Sequence, residues 1–389
     1  MTRSYVALAG SAALLWTLAS QAAPSTEEKI DMLSEEVERL KQSIDDNNSK
    51  QLRKADDLAA PHGHSWHGLT GKTTLGGYGE LHYNNLDSKK EADLHRVILF
   101  LGHRFSDRIT FFSELEVEHS QAGEGKSGGE VAMEQAYLNF AVTDNLSIST
   151  GLLLMPVGIL NEVHEPPTFY GVERNPVETN VIPSTWREVG IGVSGKIVPG
   201  LGYDLMATSG LKVDNTYSIR GGRQSGRTAV ANDLAYTARV KWTSVPGVEL
   251  AVAYQHQSDI TQSTGGLQPV SAGLAEAHVV VAKGPFAIKA LYAQWNLDGA
   301  GPAAIGRDQQ YGWYVEPAFK ITPKFGVFAR YNVWDNQAGN ASIVLTKKTQ
   351  TEVGVNYWPN ENVVVKLDVM QQDEAVSDKG FNMGVGYMF

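Results

Sequence analysis

The chain contains no cysteine. Disulfides, thiolate zinc sites, iron–sulfur clusters and a cysteine nucleophile are therefore excluded. It also lacks long apolar runs after its N-terminus. The longest, such as VILFL at 97–101, are strand-sized and fall well short of the roughly 18–20 residues that a membrane helix needs. Basic residues are outnumbered, 33 against 43 acidic ones, for a net charge of −10, and no nucleic-acid partner is expected. No nucleophile elbow, HExxH pair or Gly-rich phosphate loop occurs, and no cofactor or resident metal is expected. Hydropathy alone reads such a chain as soluble, but that reading fails for a β-barrel, in which only alternate residues face lipid.

What is present starts with export. Residues 1–22 carry Arg3, an apolar stretch from Tyr5 to Leu18 and small residues before a cleavage point after Ala22, the layout of a secretory signal peptide. Residues 23–58 read as a helix, charged and free of Gly and Pro from residue 26. Ile30, Leu33, Val37, Leu40 and Ile44 form a short heptad seam, which points to a coiled coil. A linker at 59–71 follows, with His62, His64 and His67 in HGHSWH. Three imidazoles without a rigid element are a weak metal signal, and a solvated linker is the expectation.

From residue 72 the period changes to two. Val363, Val365, Leu367 and Val369 alternate with Val364, Lys366, Asp368 and Met370, and Tyr236, Ala238 and Val240 alternate with Thr237, Arg239 and Lys241. Such segments are strands with one apolar and one wet face. Sixteen of them are expected over 72–389, at 72–84, 93–105, 109–119, 130–142, 145–155, 187–197, 201–208, 233–243, 248–258, 274–283, 285–296, 311–321, 324–334, 349–358, 362–373 and 380–389. Connections alternate long and short from the first strand to the last. Short turns on one rim and long loops on the other describe a 16-stranded antiparallel transmembrane β-barrel of the outer membrane, an all-β fold set in lipid. Tyr83, Trp242, Trp295, Trp313, Tyr331, Trp358 and Tyr387 are expected on the lipid side at the two interfaces. The neighbours His103 and Arg104, and Glu134 and Gln135, break the alternation and are expected at strand ends or bulges.

A barrel of sixteen strands leaves an aqueous lumen. The longest connection, PVGILNEVHEPPTFYGVERNPVETNVIPSTW at 156–186, is too rich in Pro and large apolar residues for a disordered segment. It is expected to fold inward as the constriction.

The stretch GLLLMPVGILNEVHEP leaving the fifth expected strand and the NPVET…TWREVGIGVSG stretch entering the sixth resemble the family of phosphate-selective porins O and P. The strand layout and the aromatic C-terminus agree, and the resemblance covers roughly residues 70–389. It implies a homotrimeric diffusion channel, general or anion-selective, and some members carry an N-terminal coiled-coil segment. A terminal aromatic strand with Tyr387 and Phe389 is, by the same resemblance to outer-membrane proteins, the signal for the barrel-assembly machinery.

Selectivity is read from charge. Arg96, Arg239, Lys241, Lys289, Arg330 and Lys366 are expected to face the pore, against a larger acidic set that includes Glu114, Glu116 and Asp368. The loop holds Glu162, Glu165, Glu173 and Glu178 with Arg174, and Arg187 lies just beyond. This balance disfavours phosphate and points to passive diffusion of small hydrophilic solutes or ions, with mild or even cation preference. An anion- or phosphate-selective channel is the alternative. An outer-membrane enzyme or a structural anchor is the competing class.

Overall fold

A computed structural model of the protein describes residues 67–70, 72–120, 129–339, 346–373 and 377–389. The expected export segment, the helix at 23–58, His62, His64 and the side chain of His67 lie outside the described residues.

All sixteen expected strands are present, preceded by a four-residue strand β1 (His67–Thr70). They are β2 (Thr73–Leu86), β3 (Lys90–Ser106), β4 (Ile109–Glu118), β5 (Val131–Thr143), β6 (Leu146–Leu154), β7 (Arg187–Val198), β8 (Leu201–Thr208) and β9 (Ala235–Trp242). The second half comprises β10 (Val248–Gln257), β11 (Ser271–Lys283), β12 (Phe286–Asp298), β13 (Gln309–Thr322), β14 (Phe325–Asp335), β15 (Lys348–Asn360), β16 (Val363–Asp373) and β17 (Asp378–Met388). Each pairs antiparallel with the next. β17 then pairs back with β2, from Gly380 opposite Leu86 to Met388 opposite Tyr78, which closes the ring and leaves no edge. Beyond β17, β1 pairs with Thr73–Leu75 of β2.

The seam depends on glycine. A Cβ on Gly79 would lie 2.6 Å from the Tyr387 hydroxyl. Its absence lets the Tyr387 ring lie across the neighbouring strand, stacked at 6.4 Å on Phe389.

The two rims differ as expected, with one correction. Turns at 107–108, 144–145, 199–200, 284–285, 323–324 and 361–362 are tight, whereas loops at 155–186, 209–234 and 258–270 are long. The connections on either side of the seam, 87–89 and 374–377, are also short. There β2, β3 and β17 extend further outward than their apolar alternation indicated, because strand pairing continues through polar residues such as Asn84, Asn85 and Glu91.

Facing alternates strictly over most of the wall. Val365, Leu367, Val369, Met383 and Val385 are exposed outward, while Val364, Lys366, Asp368 and Asn382 are buried inward. Exposed Tyr83, Tyr236, Tyr254, Tyr292 and Tyr331 form a belt near the long loops, and Phe105, Phe286, Tyr357 and Phe389 form one near the turns, as membrane interfaces favour. Trp295 and Trp358 depart from the lipid-facing expectation. Trp295 shares its face with Lys289, is 1% exposed and donates its indole N–H to the Val181 carbonyl at 3.0 Å. Trp358 likewise donates to the Pro167 carbonyl at 3.2 Å. Both rings point inward because the loop packs on them.

The irregular pairs resolve as anticipated. A bulge between Glu114 and Leu115 of β4 leaves Glu134 as the extra residue on β5, so Glu134 and Gln135 are both buried inward. Arg104 sits at a register shift near the turn rim. A second bulge, unforeseen, lies between Glu80 and Leu81, where His95 is the extra residue on β3.

The inner wall is less uniformly polar than the alternation implied. Tyr78, Ile98, Phe100, Phe112, Tyr137 and Leu153 form a buried apolar cluster on β2–β6. A larger one joins Met155, Val177, Val181, Ile182 and Trp186 of the long loop to Leu211, Ile219 and Ile260 of its neighbours and to Trp295, Tyr314 and Trp334 of the wall. At about 1.5–3 kcal/mol per large side chain buried, this core holds the loops inside the barrel.

Candidate functional site

The loop at 155–186 crosses the lumen on a set of polar anchors. Its start is bracketed by Asn161, whose amide donates to the carbonyls of Met155 and Trp186 at 2.8 and 3.0 Å and whose carbonyl accepts from the Trp186 N–H. Glu178 accepts from the N–H groups of Ile159 and Leu160 at 2.6 and 2.7 Å and from the Tyr314 hydroxyl at 2.8 Å. It is 2% exposed, so Glu178 bolts the loop together and does not face the cavity described below. Glu165 is also buried, at 4%.

On the far wall, Arg330 donates to Glu352 at 2.6 Å, to Glu316 at 2.9 Å, and to the loop carbonyls of Tyr170 and Glu173 at 3.3 and 3.2 Å. Lys289 lies 3.9 Å from Glu316. Gly171, at φ +83°, makes this approach possible, since a Cβ there would meet Arg330 Nη2 at 2.8 Å. Asp368 accepts from the Val172 N–H at 2.7 Å and from Asn382 at 2.8 Å, and the Lys366 ammonium sits 3.5 Å from the centre of the Phe169 ring. Arg239 bridges Glu162 of the loop and Asp204 of β8. Lys241 lies two residues further along β9 and is half-buried on the same inward face. Near β5, His164 lies 3.3 Å from Glu134, and Gln135 donates to Glu114 at 2.7 Å. Of the charges expected to line a pore, Glu162, Glu178, Arg239, Arg330, Lys366 and Asp368 are thus engaged in tying the loop to the wall.

Between this loop, the loop at 209–234 and strands β2–β4 lies a polar cavity of 380 Å³. On the strand side it is lined by Glu80, Glu116, Glu118 and Glu130 with Arg96; on the loop side by Arg174, Arg187, Arg220 and Arg223. Arg96 is held by Glu80 at 2.6 Å and lies 3.9 Å from Glu116. Glu173 also borders the cavity, accepting from Asn84 at 2.9 Å and lying 3.3 Å from His82. Of the expected site residues, Arg96, Glu116, Glu173, Arg174 and Arg187 meet here.

Arg220 and Arg223 were not anticipated. They sit in the loop at 209–234, whose Gly-rich RGGRQSGR run reads as a mobile tip. The only signal in sequence is the apolar set Leu211, Val213, Tyr217 and Ile219, which buries itself in the shared core. Arg220 donates to the Thr179 carbonyl at 2.9 Å and Arg223 to the Ser184 carbonyl, so the second loop grips the first. Burial, then Arg220 and Arg187, push the Arg223 guanidinium down to about 10. Burial and Arg174 lower that of Arg220. Arg174 Nη2 and Arg187 Nε are buried with no hydrogen-bond acceptor among the described residues.

The comparisons with known proteins agree with this architecture. The family model of phosphate-selective porin O and P matches residues 76–379. An uncharacterized protein of Aquifex aeolicus (strain VF5) is 30% identical, with 77% of this chain and 76% of that protein covered. Among solved structures, the outer membrane channel DcaP of Acinetobacter baumannii superposes with a TM-score of 0.58 at 15% identity, covering 84% of this chain and all of that one (100%). The anion-selective porin from Comamonas acidovorans gives 0.58 at 12%, over 82% of this chain and 99% of that one. OmpF of Salmonella typhi gives 0.58 at 16%, over 82% and 98%. Family match, closed sixteen-stranded ring and inward loop together show that the chain belongs to the phosphate-selective porin O and P family and is a channel of the bacterial outer membrane.

Proposed function

We propose that this porin passes small hydrophilic solutes and ions passively, and that selection occurs in the cavity between the acidic strand wall and the arginine group. The observation that carries this reading is the segregation of Glu116, Glu118 and Glu130 from Arg174, Arg187, Arg220 and Arg223 around one cavity of 380 Å³. Low-dielectric walls strengthen the field between two such surfaces. A dipolar solute aligns in it, and an ion of either sign follows its own side. Reversal potentials across a planar bilayer under a KCl gradient test this, with weak selectivity expected. The double variant Arg220→Ala/Arg223→Ala is expected to become more cation-selective. An unchanged reversal potential would place selection elsewhere.

A second reading, anion preference, is favoured by one observation: the donors of Arg174 and Arg187 that lack acceptors are what an oxyanion satisfies. Strong chloride or phosphate preference in the same measurement would establish it and overturn the balance inferred from strand and loop charges. Liposome swelling with sugars separates a channel from an enzyme or anchor built on the same barrel.

Around this core we propose export by residues 1–22, a coiled coil at 23–58, a linker at 59–71, assembly as a homotrimer in outer-membrane lipid, and delivery through the barrel-assembly machinery by the strand that carries Tyr387 and Phe389. The heptad seam and the terminal aromatic pair support these assignments.

A further inference from the structure

We propose that Asp93, His95 and His119 form a site for a divalent transition-metal ion of the Zn²⁺ class, at the rim of the charge-segregated cavity. Asp93 lies near the loop-side end of β3, where His95 is turned inward by the bulge against β2. His119 follows the last residue of β4. Both imidazoles converge on one carboxylate oxygen: His95 Nδ1 lies 3.2 Å and His119 Nδ1 2.7 Å from Asp93 Oδ2. The three donor atoms all lie within 4.8 Å of one another. A tetrahedral ion with bonds of about 2.0–2.1 Å holds its ligand atoms roughly 3.3 Å apart, so small side-chain shifts suffice to exchange the present hydrogen bonds for metal bonds.

Further features set this triad apart from an ordinary hydrogen-bonded one. His119 adopts φ 52°, in the left-handed region that side chains other than glycine's rarely occupy, and this turns its ring back toward β3. The rings are also open to water, with side chains 32% and 37% exposed for His95 and His119, and His95 borders the cavity. The His82 ring stacks on His95 at 4.5 Å and fixes its plane. Glu80 holds Arg96 at 2.6 Å and lies 3.2 Å from His82, so one carboxylate partners both basic groups beside the triad. Two nitrogen donors and one carboxylate suit Zn²⁺, Cu²⁺ or Ni²⁺ over Mg²⁺ or Ca²⁺. Three protein ligands leave a position for water or a passing solute.

The test is calorimetric titration of the full-length, detergent-solubilised protein with ZnCl₂, using MgCl₂ as control. Because His62, His64 and His67 are a second source of imidazole, it is run in a His62→Ala/His64→Ala/His67→Ala background. One Zn²⁺ per chain is expected there, with binding weakened about tenfold or more by His95→Asn or His119→Asn. Absence of uptake in that background, or uptake that survives both substitutions, overturns the site. Should those variants fail to fold, the wild-type protein answers by another route. Zn²⁺, and not Mg²⁺, is expected to protect His95 and His119 from diethylpyrocarbonate, read by mass spectrometry. Equal labelling with and without Zn²⁺ refutes the proposal. Neither readout depends on conduction.

Discussion

Arg330 joins two buried carboxylates to two loop carbonyls, and it is 1% exposed. Removing it leaves Glu352 desolvated without its cation and Glu316 with only the more distant Lys289 at 3.9 Å, a change that costs about 3–5 kcal/mol. Arg330→Ala is therefore expected to lower the denaturation midpoint in detergent and to raise channel noise as the loop loosens. Arg330→Lys should recover little, because a single ammonium cannot replace the fork of donors. Asp259 works similarly at the mouth. Burial raises its pKa, but hydrogen bonds from Thr261 and Ser263 and from the Val270 N–H outweigh that and hold the carboxyl below its usual range. A depressed carboxyl stabilises the fold above its unfolded pKa, about 4, and loses that contribution as pH falls through the lower folded value. Thermal midpoints from pH 6 downward should fall more steeply, below about pH 4, for the native chain than for Asp259→Asn.

At the scale of elements, the loop at 155–186 and its partner at 209–234 act as one inserted layer. Val177, Val181, Trp186, Leu211 and Ile219 share a single core with the wall, and Arg220 and Arg223 bind the carbonyls of Thr179 and Ser184. Deleting residues 163–182 removes the layer's crossing segment. Single-channel conductance should rise and the response of selectivity to Arg220→Ala/Arg223→Ala should shrink. Unaltered conductance would mean that the narrowest point lies elsewhere. The strands were legible because a lipid-facing side must be apolar at every second residue, and spans from β4 to β16 matched closely for that reason. The loop's inward course was legible from its Pro and large apolar residues. Trp295 and Trp358 misled because an indole that suits the lipid interface equally suits a packed loop. Only their register with Lys289 and Glu352, read strictly, places them inside. Arg220 and Arg223 were hidden because they flank Gly221 and Gly222 in a stretch with no periodicity.

For the molecule as a whole, the ring closes through β17 and β2, so assembly and stability rest on every strand being present. The trimer and the coiled coil at 23–58 are both proposals, and assembly is expected to draw on the barrel walls and on that segment. Deleting 26–58 and comparing unheated gels separates the two. Loss of the slow-migrating species is expected if the helices hold the trimer, and its persistence would assign the contact to the walls. Liposome permeability of the deleted form should stay intact, because the described strands of the ring begin at His67.

The amino-acid sequence by itself determined the compartment, the number of strands and the place of the inserted loop. These follow from local rules: a lipid-exposed strand repeats every second residue, short turns alternate with longer loops, and a long apolar loop has to be buried. The charge pattern of the pore was decided only by tertiary structure. Whether a glutamate lines the cavity, as Glu118 does, or bolts a loop, as Glu178 does, depends on what packs opposite it. The arrangement of Asp93, His95 and His119 is of the same kind. Their convergence rests on one bulge and one left-handed residue, and strand periodicity carries no trace of either.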